Sequence, residues 1–439
     1  MIKGKFALDR EIRDFIREDF SPSFGRLNKT FSKNALLARL RELGSELWLD
    51  TGNIDEAKQL WTQEFSALTT NNTLLNKVVQ TGQYDQLITQ AEEKLAEYPQ
   101  PSESEMLLEI GFILNAHHAL RLVEQFDAYV SVEEHTDLAN NVELAVDYGL
   151  RYYAICPERF IIKIPFTPAG LLATRRLSAQ GVPVNHTLGF SARQNYVIAR
   201  IGKPKYVNVF LGRLNSFVAD NQFGNGSFIG EKATLASQTM IKHLREKHQS
   251  TTRQIGASFR SGKQVYDLAG IDVMTMPPKA VKEFLSTGLT AAHIADKTKI
   301  NYEPGLYDDV NPALIRLDTL WNIDDKLIAC IDNLEKENLD SFTASDLIDF
   351  FQEHKCGDLL VRWNNTQIAT STREGKIPLL HHWEEALASK SIGLDSLMNL
   401  AGLNSFSTDQ KAMDERIKEV LNKNNITIGR GYHGGNKSR

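Results

Sequence analysis

Eight short runs of apolar and β-branched residues, each followed by polar residues and a helical stretch, occupy residues 46–277 and constrain the fold most. Strands that are apolar throughout are typical of parallel sheets covered by helices on both faces. Eight of them within about 230 residues predict an α/β protein built on a closed (β/α)8 TIM barrel. The predicted strands are ELWLD (46–50), SALTTN (66–71), YVSVEE (129–134), FIIKIP (160–165), VNHTLGF (184–190), YVNVFLG (206–212), QIGASF (254–259) and DVMTMP (272–277).

A doubly wound open sheet is the main alternative. That fold normally has a glycine-rich phosphate turn after its first strand, whereas LWLDTGNIDEA (47–57) contains one glycine. The segment FGNGSFIG (223–230) has three glycines in a different spacing, and we expect a flexible connection there, leading into a helix over residues 233–247.

Helical patterns flank the predicted barrel on both sides. Leucines in NALLARLREL (34–43) lie on one helical face, which predicts an N-terminal helical lead-in, and strand alternation stops after residue 280. Beyond it, Thr343 to Asp346 and Ser407 to Gln410 have the capping-box pattern that opens a helix. We therefore predict a lead-in (1–45), a barrel (46–295) and a helical C-terminal extension (296–439).

Composition is that of an ordinary globular protein. The 439 residues include 50 Lys plus Arg against 55 Asp plus Glu, so no basic excess indicates a nucleic-acid partner. No run approaches the roughly 18 apolar residues of a membrane helix, and the N-terminus lacks the apolar block of a signal peptide. Three widely spaced cysteines fit neither a disulfide framework nor a metal site. These patterns predict a cytoplasmic protein without metal, nucleic-acid partner or membrane.

In such a barrel, polar residues at the carboxyl ends of the strands surround the reactive end. Lys163 is unusual among them because it is flanked by Ile162 and Ile164. Loss of hydration lowers the pKa of an ammonium, and the neutral amine can attack a carbonyl to form a Schiff base. A lysine that reaches water or pairs with a carboxylate is the alternative, and the strand by itself favours that reading.

Other strand ends carry groups that suit proton transfer and phosphate binding. Asp50 and Glu133 are candidate acid-base groups, and Thr187 could hold a water between them, although each carboxylate alone is as easily a helix cap or a solvated loop residue. Two guanidinium groups and a hydroxyl suit a phosphate dianion, with structural salt bridges as the alternative for the arginines. The phosphate candidates are Arg213, Ser258 and Arg260.

Read in order, these segments resemble the transaldolase family. The resemblance is carried by LWLDTGNIDEAK (47–58), LTTNNTLL (68–75), VSVEE (130–134), IIKIPFTPAGLLA (161–173), NHTLGFS (185–191), VFLGR (209–213), IGASFR (255–260) and VMTMPP (273–278).

The resemblance implies an enzyme that needs no metal or organic cofactor. It implies that Lys163 forms a Schiff base with a ketose phosphate, fructose 6-phosphate or sedoheptulose 7-phosphate, and passes a dihydroxyacetone unit to an aldose phosphate in the pentose phosphate pathway. It implies that Asp50, Glu133 and Thr187 transfer protons and that the phosphate candidates bind phosphate. The substrate-binding residues it implies are Thr69, Asn71, Asn185, Asn208 and Phe210.

The related fructose-6-phosphate aldolase branch typically carries Gln at the position of Glu133 and Tyr at that of Phe210, so both residues here favour transfer over release. Two positions depart from the family pattern. Asn72 replaces a usual Pro, which predicts a looser loop, and Asn208 replaces a usual Ser, which leaves the acceptor sugar open.

Two alternatives to a transaldolase stay open, an aldolase or transferase of another ketose phosphate and a sugar-phosphate-binding scaffold that acts through the extension. The extension itself could cover the barrel mouth, form a homodimer surface or bind a partner.

Overall fold

The computed structural model describes residues 5–22, 24–25, 30–97 and 101–431. Eight parallel strands form a closed barrel in chain order, and the eighth pairs with the first, so the predicted TIM barrel is confirmed and the open sheet is excluded. The strands are β1 (Glu46–Asp50), β2 (Phe65–Thr69), β3 (Tyr129–Glu133), β4 (Phe160–Pro165), β5 (Val184–Thr187), β6 (Tyr206–Phe210), β7 (Arg253–Ala257) and β8 (Val273–Met276).

Several strands end before the predicted limit because the residues that follow them begin the next helix or loop. β2 ends at Thr69, and Asn71, predicted as its last residue, instead caps a helix by accepting a hydrogen bond from Leu74 N. β5 ends at Thr187, three residues early, since Leu188 has a left-handed backbone (φ 62°) that leaves the sheet.

Helices separate the strands and continue after them. In the described residues they are α1 (Lys5–Ile16), α2 (Ala35–Glu42), α3 (Ile54–Leu60), α4 (Asn72–Val79), α5 (Asp85–Leu95), α6 (Glu103–Phe126), α7 (Val142–Ile155), α8 (Pro168–Ala179), α9 (Ala192–Val197), α10 (Leu211–Asp220), α11 (Ile229–His248), α12 (Gly262–Asp267), α13 (Pro278–Leu285), α14 (Asp325–Leu334), α15 (Ala344–Glu353), α16 (Asn365–Glu374), α17 (Glu384–Ala388) and α18 (Leu394–Gly431).

The helical lead-in is confirmed in the part of residues 1–45 that the structure describes. Asn34 caps α2 by accepting hydrogen bonds from the amides of Leu36 and Leu37, and the helix buries Leu37 and Leu40 on one face. A buried core cluster joins Ile12 of α1, Trp48 of the barrel and Leu397 of the extension, while the three-part division of the chain stays a prediction.

The glycine-bearing segment at residues 223–230 was predicted to be a flexible connection, but its backbone is hydrogen-bonded to a later loop. Gly224 forms a β-bridge with Leu306, and Gly305 N donates to Ser227 O at 2.8 Å. A Cβ on Gly224 would lie 2.0 Å from Gly305 O, so the glycine is needed for close approach rather than for flexibility. The following helix begins at Ile229, four residues earlier than predicted.

One predicted helix start in the extension is confirmed and the other is wrong. Thr343 and Asp346 form a capping box at the start of α15. Ser407 to Gln410 opens no helix, because α18 runs unbroken through this segment. The first two turns of the helix are buried at nearly every position, and from Phe406 onward buried residues recur every three or four positions, so the polar residues that resemble a cap lie inside a helix. The buried residues of this second part are Phe406, Gln410, Met413, Ile417 and Val420.

The extension packs onto the barrel through apolar and charged contacts. α18 lies against α4, α5 and α6, and α15 lies against α8. At the start of α18, fully buried Asp395 accepts hydrogen bonds from Arg193 of α9 at 2.7 and 2.8 Å, and Ser191 Oγ donates to it at 2.6 Å. A buried carboxylate that is paired in this way fixes where the extension crosses the barrel.

By length and composition alone, one helix in the described part, α6, could cross a membrane. In this structure 61% of its most apolar stretch is buried inside the protein.

Candidate active site

The register of the barrel brings several predicted site residues to one level. Glu133 of β3 is paired with Lys163 of β4, which is paired with Asn185 of β5. These positions lie near the carboxyl ends of their strands, where (β/α)8 barrels have their active sites.

Lys163 is 5% exposed and its amine has three neighbours. Nζ donates a hydrogen bond to Thr70 O at 3.1 Å and lies 3.6 Å from Glu133 Oε1. The ring of Phe406, from the extension, has its centroid 5.8 Å from Nζ. The amine is therefore held inside the barrel mouth by one carbonyl, one carboxyl group and one aromatic face, so both earlier readings, the reactive amine and the carboxylate pair, have a structural basis.

Glu133 is buried and bonded from the next loop. Its Oε2 accepts a hydrogen bond from Asn72 N at 3.2 Å at the start of α4. Burial raises the pKa of Glu133 above its ordinary value, and the charge of Lys163 and the Asn72 amide oppose that rise. A carboxyl group with a raised pKa beside an amine is suited to accept and return protons.

Asp50 lies at the end of β1 and is not a helix cap, since Asn53 caps α3. Its Oδ1 accepts a hydrogen bond from Thr69 Oγ1 at 2.7 Å, and Thr69 also shares a 2.6 Å hydrogen bond with Thr275 Oγ1. Burial raises the pKa of Asp50, while Thr69 and the charge of Lys163 lower it. The site thus contains two carboxyl groups whose pKa values are raised.

Ten of the twelve predicted site residues line one cleft of about 180 Å³ at the barrel mouth. Glu133 and Thr187 are not on its wall. Glu133 does not line the cleft, but its Oε1 lies 3.6 Å from Lys163 Nζ. Thr187 is fully buried, and its hydroxyl has no hydrogen-bond partner in the described part of the chain. The ten are Asp50, Thr69, Asn71, Lys163, Asn185, Asn208, Phe210, Arg213, Ser258 and Arg260.

A larger cleft, of about 800 Å³, lies elsewhere on the surface and is lined by residues such as Tyr196, His243 and Trp321. None of the predicted site residues lines it. The chemistry suggested by the strand-end residues therefore belongs to the smaller cleft.

Two asparagines form a fixed pair on the cleft wall. Asn208 Nδ2 donates to Asn185 Oδ1 at 3.2 Å, and Asn208 Oδ1 accepts from Gly189 N at 3.3 Å. Asn185 Nδ2 in turn donates to Ser131 Oγ at 3.0 Å. The side-chain amide of Asn208 thus orients Asn185.

The predicted phosphate residues meet because a glycine permits close approach. A Cβ on Gly212 would lie 2.1 Å from Ser258 O and 2.7 Å from Arg260 Cγ. Ser258 has a left-handed backbone (φ 65°), which is uncommon for a residue other than glycine. This packing brings Arg213, at the start of α10, next to the loop after β7, with no carboxylate ion pair to either arginine in the described residues.

Sequence reasoning missed several barrel residues that line the cleft, such as Thr73 and Thr275, and the two lining residues that come from the extension, Lys376 and Phe406. Phe406 contacts Phe210 at a centroid distance of 6.5 Å and lies 5.3 Å from the Arg213 guanidinium. Its position in a helical apolar stripe shows that it packs, but no signal in the sequence shows that it packs here. Of the open roles for the extension, covering the mouth is the one these contacts support.

Within the described residues, no group of three or more His, Cys, Asp or Glu side chains is arranged to hold a metal ion. The cleft instead combines the amine of Lys163, the carboxyl group of Asp50, amides and cationic groups, and the carboxyl group of Glu133 lies 3.6 Å from that amine.

A closed (β/α)8 barrel with a buried lysine and carboxyl groups near the carboxyl ends of its strands has the arrangement of a barrel enzyme. Comparison with known proteins gives the family. Residues 47–347 match the model of the Transaldolase/Fructose-6-phosphate aldolase family, and the chain belongs to that family of enzymes.

Similar proteins agree with this result. The chain is 32% identical over 249 residues to a probable transaldolase of Thermus thermophilus, covering 56% of this chain and 92% of that protein. It is 31% identical over 257 residues to a transaldolase of Xanthomonas euvesicatoria, covering 56% and 77%. It is 29% identical over 276 residues to a transaldolase of Edwardsiella ictaluri, covering 61% and 85%.

Proposed function

We propose that the protein is a transaldolase that transfers a dihydroxyacetone unit from fructose 6-phosphate or sedoheptulose 7-phosphate to an aldose phosphate through a Schiff base on Lys163. The observation that carries this proposal is the buried amine of Lys163 on the cleft wall, 3.6 Å from the carboxyl group of Glu133. The family supports transaldolase chemistry, and the cleft supports the particular residues.

The reaction begins when neutral Lys163 attacks the C2 carbonyl of the ketose. Glu133 is the nearest carboxyl group to Nζ, so its carboxylate takes the proton that leaves Lys163 neutral. It then returns that proton to the carbinolamine hydroxyl, which departs as water and leaves the protonated imine. Thr187, whose hydroxyl has no hydrogen-bond partner among the described residues, is the proposed holder of a water in this transfer.

The protonated imine then accepts the electron pair released when the C3–C4 bond breaks. Asp50 takes the proton of the C4 hydroxyl, and an aldose phosphate leaves. The three-carbon enamine on Lys163 attacks the carbonyl carbon of the acceptor aldose, Asp50 returns the proton to the new hydroxyl, and hydrolysis of the imine frees the product. The imine is the electron sink, so this chemistry needs no metal or organic cofactor.

Phe210 and Phe406 place apolar rings beside the reactive lysine. An apolar cover limits access of water to the enamine, which favours transfer to a second sugar over release of dihydroxyacetone. Arg213, Ser258 and Arg260 line the same cleft and are the proposed phosphate ligands.

The remaining assignments follow from this function. We place the reaction in the cytoplasm and in the pentose phosphate pathway, with sugar phosphates as the partners and neither nucleic acid nor membrane involved. A homodimer is proposed as the oligomeric form.

The test is chemical trapping. Incubation with fructose 6-phosphate and borohydride should add a reduced three-carbon unit to the peptide containing Lys163, and Lys163→Arg should remain unlabelled. A wild-type peptide that stays unmodified under conditions that label a known Schiff-base enzyme would refute the proposal.

An acceptor panel separates transfer from release. Turnover of fructose 6-phosphate should require erythrose 4-phosphate or another aldose phosphate. Free dihydroxyacetone formed at the same rate without acceptor would instead identify an aldolase. Binding of sugar phosphate without either reaction would indicate a scaffold.

A further inference from the structure

The cleft contains a buried cation that forms no ion pair in the part of the chain that the structure describes. Arg213 is 5% exposed, forms no ion pair within the described residues, and its Nη1 has no hydrogen-bond partner there. Burial is the main cause that lowers the pKa of Arg213 to about 10; the charge of Arg260 acts in the same direction, and the charges of Glu133 and Asp409 oppose it. An unpaired guanidinium in such a position is unfavourable by itself and is stabilised by a bound anion.

Lys376 brings a third cation to the same cleft from outside the barrel. It lies just after α16 and lines the cleft with Arg213 and Arg260. Burial is the main cause that lowers its pKa, and the charges of Arg213 and Arg260 lower it as well. Asp409 of α18 acts in the opposite direction, and Lys77 is a further positive neighbour. Cations therefore outnumber carboxylates around the ammonium group.

The turn that carries Lys376 is fixed to the barrel. Asn221, which follows α10, donates its side-chain amide to Pro378 O at 2.9 Å and accepts from Leu380 N at 2.8 Å. Arg213 lies in the first turn of the same helix α10. One barrel helix therefore positions Arg213 at its start and anchors the Lys376 turn at its end.

We propose that Lys376 is a phosphate ligand, so that the extension completes an anion subsite whose other cations, Arg213 and Arg260, come from the barrel. This inference rests on the proposed function, because the anion is taken to be the phosphate of the sugar substrates. Two guanidinium forks and one ammonium group suit the several oxygens of a phosphate dianion.

Steady-state kinetics of three variants test the proposal: Lys376→Met, Lys376→Arg and, as a control, Lys336→Met. Lys336 is another exposed lysine of the extension, and it does not line the cleft. Lys376→Met should raise KM for fructose 6-phosphate, and Ki for inorganic phosphate as a competitive inhibitor, by about fivefold to tenfold each. Lys376→Arg should restore both to within about twofold. Lys336→Met should match wild type.

Other outcomes overturn the inference. If Lys376→Met leaves both constants unchanged, Lys376 is not a ligand. If KM rises but Ki for phosphate does not, or if Lys376→Arg fails to restore either, Lys376 acts through the structure of the turn instead.

A separate binding measurement distinguishes this failure from failure of the proposed function. Should wild type show no turnover of fructose 6-phosphate, the proposed function fails, and calorimetric titration with inorganic phosphate still decides the role of Lys376. Weaker phosphate binding by Lys376→Met than by wild type supports the subsite. Equal binding, or no binding by wild type, refutes it.

Discussion

Asn72 Nδ2, at the start of α4, donates a hydrogen bond to Gln410 Oε1 of α18 at 2.7 Å, and both side chains are buried. The backbone amide of the same Asn72 donates to Glu133. The expectation that Asn72 loosens its loop is therefore wrong, since its side chain attaches the loop to the extension. The neighbouring Thr73 hydroxyl donates to Asp409 of the same helix.

A double-mutant cycle measures this attachment. Asn72→Ala and Gln410→Ala should each lower the free energy of unfolding, and the double variant should lose about 1 kcal/mol less than the sum of the two. Urea unfolding followed by fluorescence gives the three values. Additive losses would show that the hydrogen bond contributes nothing to docking of the extension.

Lys163→Ala should abolish turnover, because it removes the amine that is proposed to hold the donor covalently. The far-ultraviolet circular dichroism spectrum should match wild type, since the barrel strands are retained. Turnover above about one thousandth of the wild-type rate would place the covalent step on another residue.

Glu133→Gln should change the pH profile as well as the rate. Burial raises the pKa of Glu133 above 4.5, so kcat/KM of wild type should fall as pH decreases through a value above 4.5. The variant should lose the contribution of Glu133 to that acidic limb and lower kcat by about 10²- to 10⁴-fold. Initial rates across the pH range provide the comparison, and an unaltered profile would remove Glu133 from proton transfer.

Arg260→Ala should mainly raise KM for phosphorylated sugars, by about tenfold to a hundredfold, because a charged hydrogen bond to phosphate is lost. Any loss of transition-state binding would lower kcat in addition. Steady-state kinetics with fructose 6-phosphate measure both. Our phosphate assignment would be wrong if neither parameter changed.

Glu134→Gln should alter the pH dependence of stability. Glu134 is 2% exposed, neither carboxyl oxygen has a hydrogen-bond partner in the described residues, and burial raises its pKa well above 4.5. Above pH 4.5 the unfolded chain releases a proton that the folded chain retains, so the free energy of unfolding falls as pH rises, by up to about 1.4 kcal/mol per pH unit.

The Gln variant has no such proton, so its stability relative to wild type should increase from about pH 5 to about pH 8. Denaturant titrations at several pH values measure the slope, with exposed Glu337→Gln as control. A constant difference between Glu134→Gln and wild type across that range would contradict the raised pKa.

The barrel could be predicted from sequence because its strands are buried on both faces and stand out as continuous apolar runs. FIIKIP was predicted with its observed bounds, since β4 is buried at every position. The cleft residues followed from the same pattern, as side chains at the carboxyl ends of parallel strands must converge on one mouth.

The contribution of the extension could not be predicted in this way. An apolar stripe in α18 requires that the helix be packed, but it does not specify the surface that receives it. Gln410 was read as part of a helix cap because its partner, Asn72, is distant in sequence. Thr187 was assigned to the site from its place at a strand end and then through the resemblance, and its absence from the wall of the cleft depends on tertiary packing.

The order of residues along α18 and the barrel has a consequence for synthesis of the protein. Lys163 leaves the ribosome long before Phe406, which covers it. A nascent chain can therefore complete all eight strands while the amine of Lys163 is still open to the surrounding metabolites, and the enclosed form arises only near the end of translation.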